Sequence, residues 1–108
     1  MKPLRILDDV AERDLPGIVA YHLPQSRAKA EAIVAEYDRA IDLLRQTPAM
    51  FRARPHGWRV CVFRSSSYLL YYREIETCWI VVAVFHARLD PDWIQAQLLI
   101  RETRETAT

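Results

Sequence analysis

Residues 58–90, WRVCVFRSSSYLLYYREIETCWIVVAVFHARLD, decide the fold. Short polar breaks at residues 65–67 and 74–77 divide this stretch, and each is short enough to be a hairpin connection. Between the breaks lie three apolar runs rich in the valine, isoleucine and aromatic residues that favour strands, residues 60–63, 68–72 and 79–85. The stretch therefore predicts three consecutive antiparallel strands.

The last of these runs, WIVVAVF at residues 79–85, has no polar alternation. Such a run is typical of a central strand that is covered on both faces. His86, Ala87 and Arg88 follow it directly, so the apolar character stops at once. Polar groups that end a buried strand face solvent at a sheet edge, where binding and catalytic residues are common.

The length of 108 residues fits one domain, and a hydrophobic content of 51% is enough for a packed core. No apolar run reaches the roughly 20 residues that a membrane-spanning helix needs. The first five residues are not followed by a long apolar segment, so we expect no signal peptide and a cytoplasmic protein. In that compartment Cys61 and Cys78 are expected to be buried thiols, although a disulfide between adjacent strands is the alternative.

Charge is unevenly distributed although the net charge is only +1. The segment 52–73 contains no acidic residue and carries five arginines, Arg52, Arg54, Arg59, Arg64 and Arg73. The excess of positive charge thus falls on the first hairpin of the sheet and on the loop that enters it. Such a patch can attract an acidic protein or a phosphate backbone.

The N-terminal half reads as a short strand at residues 2–7 and a helical hairpin. Helical spacing runs over residues 10–21, but Pro16 and Gly17 interrupt it, so this helix is either kinked there or begins only near Asp14. Ser26 predicts the cap of a second helix that ends near Gln46. Its apolar stripe consists of Ala30, Ile33, Val34, Tyr37, Ile41 and Leu44.

After a loop at residues 47–57 and the three strands, Asp90, Pro91 and Asp92 form a strong helix start. The helix that follows is predicted to be short, with a polar and frayed tail at residues 101–108. A strand and a helical hairpin packed on an antiparallel sheet, with a short C-terminal helix, make a single α+β domain over residues 1–108.

Several segments match one known pattern in order and spacing: AERDL at residues 11–15 with Ile18 and Tyr21, then Ile41, Leu44 and Pro48, then WR at 58–59, FRSSSYLLYYR at 63–73 and VAVFHARLD at 82–90. Together they resemble the RelE/ParE superfamily of toxins from type II toxin–antitoxin systems. The resemblance covers about residues 4–95. The ending HARLD is more similar to the ParE branch.

The resemblance implies one of two activities. RelE-like toxins cleave mRNA on the ribosome with basic residues on the sheet, whereas ParE-like toxins bind DNA gyrase and inhibit it. This chain has Val60, Val62 and Leu69 where RelE-like toxins carry cations, and Trp93 is the nearest aromatic residue to their C-terminal tyrosine. An aliphatic side chain cannot neutralise a phosphate. The resemblance therefore implies a ParE-like gyrase inhibitor that a ParD-like antitoxin neutralises.

Two alternative functions remain compatible with the sequence. One is a ribosome-dependent endoribonuclease in which Arg64, His86 and Arg88 carry the chemistry; otherwise no catalytic residue is expected. The other is an inactive homologue that only binds its antitoxin.

Residues expected to contact a protein partner are Arg59, Arg64, Tyr68, Arg73, His86, Arg88 and Trp93. Structural roles compete with this interpretation: His86 could anchor the strand end to the helical hairpin, the arginines could be a solvated strand face, and tyrosines in a sheet are often core. We expect no cofactor, no contact with a membrane, and nucleic acid only through the antitoxin complex.

A metal site is not expected either. The candidate ligands His22, His56, Cys61 and Cys78 lack the spacing of metal ligands.

Overall fold

The computed structural model describes residues 2–106. Its elements, in chain order, are β1 (Leu4–Ile6), a π-helical turn (Asp9–Asp14), α1 (Leu15–His22), α2 (Arg27–Gln46), a 3₁₀ turn (Pro55–Gly57), β2 (Arg59–Phe63), β3 (Tyr68–Glu74), β4 (Trp79–His86) and α3 (Pro91–Thr106). The predicted α+β class is confirmed.

The four strands form one sheet in the order β1-β4-β3-β2. The pairs β2–β3 and β3–β4 are antiparallel, as the hairpin spacing predicts. β1 instead pairs parallel with β4, with Leu4 opposite Trp79 and Ile6 opposite Val81, so the sheet is mixed. A parallel pair needs a long crossover, and the helical hairpin together with β2 and β3 supplies it here.

β4 is the central strand that its uninterrupted apolar sequence predicts. Every residue from Trp79 to Phe85 is at most 7% exposed. One face of the sheet packs against α2 through residues such as Ile33 and Leu44. The other face packs against α3 through Ile94 and Leu98. The sheet therefore lies between two helical layers, and the end of β4 emerges from between them.

The first helix is irregular at the place where Pro16 interrupts the helical pattern. A π-helical turn precedes α1, and the N–H of Leu15 donates to the carbonyl of Val10. Pro16 then lies in the first turn of α1, the part of a helix in which proline is tolerated. Asp14 occupies the cap position but makes no capping bond, because its carboxylate binds elsewhere.

Two predicted helix starts are confirmed by their hydrogen bonds. The N–H of Lys29 donates to the hydroxyl oxygen of Ser26 at 3.1 Å, which caps α2. The N–H of Asp92 donates to Oδ1 of Asp90 at 2.9 Å, which closes the first turn of α3.

The prediction of a frayed tail from residue 101 onward is wrong as far as Thr106, because α3 continues to that residue. Arg101 is only 9% exposed, and its guanidinium binds Asp14 near the other end of the chain. The polar composition of this segment predicts exposure, but one of its charges forms a buried ion pair. Ala107 and Thr108 lie outside the described residues.

Cys61 and Cys78 are free, buried thiols, as expected. Burial raises the pKa of the Cys61 thiol, with Glu36 adding to the effect. Over residues 2–106 we find no helix that is both long and apolar enough to cross a membrane.

Candidate functional site

Two of the predicted contact residues, Arg59 and Arg73, bind their own chain. Arg59 donates to the carbonyl oxygens of Ala49 and Phe51 at 3.1 and 2.5 Å, which fastens the loop before β2. The guanidinium of Arg73 lies 4.9 Å from the ring centroid of Trp58 and pairs with Glu102 at 3.0 Å. Both arginines thus support the fold at one end of the sheet. Their predicted role in partner binding stays a prediction.

The opposite end of the sheet brings together Tyr68, His86 and Arg88. Tyr68 stands directly across from His86 in the β3–β4 pair, and their ring centroids are 5.0 Å apart. The N–H of Arg88 donates to Nδ1 of His86 at 3.0 Å, so the chain turns tightly after β4. These residues line an open cavity of about 690 Å³ that we call the basic pocket, formed by Tyr21, His22, Gln25, Ser26, Lys29, Tyr68, His86 and Arg88.

Five of the eight residues that line the basic pocket are not among the residues that the sequence predicts for a site. One of them is His22 at the end of α1, whose Nε2 lies 2.8 Å from the hydroxyl oxygen of Tyr68 and shares a hydrogen bond with it. Both residues are 7% exposed. The expected anchor between strand end and helical hairpin therefore exists, but His22 and Tyr68 form it, and His86 contacts the ring of Tyr68. One feature of the sequence could have indicated a site at His22: this histidine directly precedes the turn that joins α1 to α2.

The charged side chains that line the basic pocket are positive. Lys29 and Arg88 are among its lining residues, and no carboxylate of the described part of the chain is. Burial lowers the pKa of His22, and the neighbouring Lys29 and His86 lower it further. Burial likewise raises the pKa of the Tyr68 hydroxyl, with Tyr21 contributing. At neutral pH the pocket therefore offers a neutral imidazole, a protonated phenol and two fixed cations.

Arg64 lies outside the basic pocket, beside a second surface that we call the edge groove. It runs between α2 and β2. β2 is the last strand of the sheet, and its outer edge pairs with no other strand among residues 2–106. Exposed apolar side chains line it, with Leu43 at 37%, Met50 at 52% and Val62 at 50% exposure. Arg39 and Arg64 are its basic residues, and Glu36, which accepts hydrogen bonds from the hydroxyls of Ser65 and Ser66, is its acidic residue.

Trp93 belongs to a third surface, the outer face of α3. Trp93 is 44% exposed, Leu99 62% and Ile100 56%, and Ala96 lies exposed between them. Their spacing places these four side chains on one side of the helix. The inner side of α3 carries Ile94, Leu98 and Arg101 and is buried.

The positions that would need cations for RNA cleavage are apolar and mostly covered. Val60 is 6% exposed, and Leu69 is partly buried against the same core cluster as Ile94 and Leu98 of α3. Val62, farther along β2, is exposed. Among residues 2–106, no three histidine, cysteine or acidic side chains come together as metal ligands.

Comparisons with known proteins agree with this architecture. Residues 6–91 match the family model described as ParE toxin of the type II toxin–antitoxin system parDE. A search of curated proteins found no match. Among solved structures, a chain of a chromosomal ParDE toxin–antitoxin system from P. aeruginosa has a similar fold, with a TM-score of 0.69 at 17% identity over 82% of this chain and 98% of that chain. Because the family model matches most of the sequence, this chain belongs to the ParE toxin family of type II toxin–antitoxin systems.

Proposed function

We propose that the protein is a toxin that inhibits DNA gyrase by binding it, and that a ParD-like antitoxin neutralises it. The observation that carries the proposal is the position of α3. Its inner side covers the sheet face on which a ribonuclease would need cations, and its outer side offers an apolar surface for a protein.

The inner side of α3 argues against hydrolysis at the sheet. Cleaving RNA without a metal requires a group to activate the 2′-hydroxyl, a proton donor and cations for the developing charge. Val60 and Leu69 supply none of these, and Ile94 and Leu98 pack against the same face. A substrate phosphate would meet aliphatic side chains there.

The outer side of α3 has the features of a protein-binding surface. Contiguous exposed apolar side chains on a small soluble domain mark sites of interaction, and tryptophan is a frequent anchor in such sites. Trp93, Leu99 and Ile100 provide this surface, with Ala96 exposed between them. We assign it to the target, gyrase.

The edge groove suits the antitoxin. An extended segment can add a strand to the free edge of β2, while apolar side chains of the partner fill the space beside Leu43, Met50 and Val62. Arg39 and Arg64 favour an acidic, initially disordered segment that folds on binding. We propose that this complex acts in the cytoplasm and reaches nucleic acid only through the antitoxin.

The test combines induced expression of the chain alone with two separate readouts, the DNA-damage response and the rate of translation. Early induction of DNA repair while translation continues is the expected result. A supercoiling assay with purified gyrase then measures inhibition directly. Intact supercoiling at a large excess of toxin would contradict the proposal.

Charge substitutions separate the two surfaces. Ile100→Glu should abolish toxicity and leave antitoxin binding intact, whereas Met50→Glu should weaken antitoxin binding and leave toxicity intact. Gln95→Glu is the matched control for the added charge, because Gln95 borders the buried side of α3 with Ile94 and Leu98, and it should change neither function. Loss of both functions in every variant would mean that the surfaces have been misassigned.

The basic pocket favours a second candidate, a ribosome-dependent endoribonuclease. His86 and Arg88, two residues proposed for that chemistry, lie together with His22 and Tyr68. Arg64, the third, lies elsewhere. Prompt translation arrest with cut mRNA, abolished by His86→Gln, would replace gyrase inhibition with this activity. The absence of any growth defect would leave a homologue that only binds its antitoxin.

A further inference from the structure

The basic pocket has no part in the proposed binding of gyrase or antitoxin, yet it is built as a binding site. Its lining carries Lys29 and Arg88, and among residues 2–106 no carboxylate lines it with them. Elsewhere in the molecule, arginines such as Arg73 and Arg101 are paired with acidic side chains. Cations that are gathered without partners around a concave surface raise the local concentration of anions.

Tertiary contacts fix the floor of the basic pocket. The ring of Tyr68 lies between two imidazoles, with centroid distances of 5.8 Å to His22 and 5.0 Å to His86, both edge-on. The hydrogen bond between His22 and Tyr68 joins α1 to β3 and is buried. Donors held in this way lose little conformational freedom when a ligand binds.

The walls are supplied by α2 and by the segment after β4. Lys29 extends from the first turn of α2, whose positive end faces the same region as its capping residue Ser26. Arg88 lies across the pocket, in the turn after His86. The pocket therefore presents an ammonium, a guanidinium and ring N–H or O–H groups from four different parts of the chain.

We infer that the basic pocket binds the phosphate dianion of a small phosphate-bearing molecule, with Lys29 and Arg88 as the charged contacts and His86 and Tyr68 as further hydrogen-bonding groups. Charge-assisted hydrogen bonds to phosphate are strong, and arginine is well suited to them. A cavity of about 690 Å³ is within the usual range for small-molecule sites and exceeds what a lone phosphate fills.

Two sources of that phosphate are possible, free inorganic phosphate and a nucleotide. Tyr21 distinguishes them, because this residue lines the pocket, is 65% exposed and offers an aromatic ring on which a base can stack. Tighter binding of adenosine 5′-monophosphate than of inorganic phosphate, with the difference lost in Tyr21→Ser, would identify a nucleotide. Equal binding would identify the free anion. Either result supports the phosphate site.

The experiment is an NMR titration of the purified full chain with inorganic phosphate at constant ionic strength, observing the ring protons of its three histidines. The signals of His22 and His86 should shift saturably, and the pKa of His22 should rise because a bound anion offsets the neighbouring cation Lys29. His56, in the 3₁₀ turn and outside the pocket, is the internal reference and should not shift.

Substitutions complete the test. Lys29→Gln combined with Arg88→Gln should weaken phosphate binding about tenfold or more, since two charged contacts are lost. Arg27→Gln is the control. Like Lys29→Gln it removes one positive charge from the start of α2, but this side chain is 79% exposed and lies outside the pocket, so the variant should bind phosphate normally. Equal binding by both variants, equal shifts of all three histidines, or binding of single-stranded RNA without binding of phosphate would overturn the inference.

Discussion

Two clusters of charged side chains lie at opposite ends of α1, and they differ in whether their cations are paired with carboxylates. At its start, Arg101 donates to both carboxylate oxygens of Asp14, at 2.7 and 3.0 Å, and lies 3.6 Å from Asp9. At its end, Lys29 and Arg88 line the basic pocket, where the described residues place no carboxylate. The first cluster is buried, and the second opens to solvent.

The difference follows from the cost of removing charge from water. A buried arginine is tolerated only when hydrogen bonds and opposite charges surround it. Arg101 meets that condition, because it also donates to the carbonyl of Val82 at 3.1 Å and packs over the ring of Phe85. The cations of the basic pocket keep their hydration and remain available. Paired charges here hold the fold, and unpaired charges are free for a ligand.

The largest effect is expected when the paired cluster is broken. Arg101→Met should lower the free energy of unfolding by about 3–5 kcal/mol, because it leaves the Asp14 carboxylate buried without its cation. Urea denaturation measures the change. Arg88→Met is the matched control in the open pocket and should change stability by less than about 0.5 kcal/mol. Similar losses in both variants would remove the distinction between the clusters.

A smaller effect is expected at the buried hydrogen bond of the pocket floor. Tyr68→Phe keeps both ring contacts with the histidines but removes the hydroxyl that bonds to His22. The free energy of unfolding should fall by about 1 kcal/mol, the usual net contribution of one such bond. Tyr71→Phe, on the other face of the same strand, provides the comparison in thermal unfolding. A neutral result at Tyr68 would mean that the bond does not tie α1 to the sheet.

Acid should weaken the same junction. The pKa of His22 is lowered in the folded chain from an ordinary value of 6.5, chiefly by burial. The unfolded chain therefore binds the proton more tightly, so the stabilising contribution is complete above that value and is lost as the pH falls below it. Unfolding measured between neutral pH and pH about 5 should show this loss, and His22→Gln should flatten the dependence. An unchanged slope in the variant would assign the effect to another group.

The smallest effect on stability is expected from Lys29→Gln, because that cation has no carboxylate partner among the pocket residues. Its stability should stay within about 0.5 kcal/mol of the parent chain. The pKa of His22 should rise toward its ordinary value, since Lys29 contributes to lowering it. NMR titration of the ring protons measures the shift. A further fall in the pKa would contradict the described electrostatics.

The two clusters also show where sequence reasoning succeeds. Strand runs, helix caps and the central position of β4 were predictable because each depends on neighbouring residues. Tyr68, His86 and Arg88 were identifiable as candidates because they stand at the ends of apolar strands, and their role in partner binding stays a prediction. His22 and Lys29 were not identifiable, because they lie in helices far from these strands in the sequence. Nothing in the residues around them indicates which strand end they contact.

The sequence by itself determined the order of the elements, the α+β class and the family, because apolar periodicity and turn residues act over a few positions. Only the tertiary structure decided that β1 joins β4 in parallel, that Arg101 is buried, and that His22 meets Tyr68. Each of these depends on contacts between residues far apart in the chain. Whether a charge there is paired or free is settled by its neighbours in space, and the sequence near it does not contain that information.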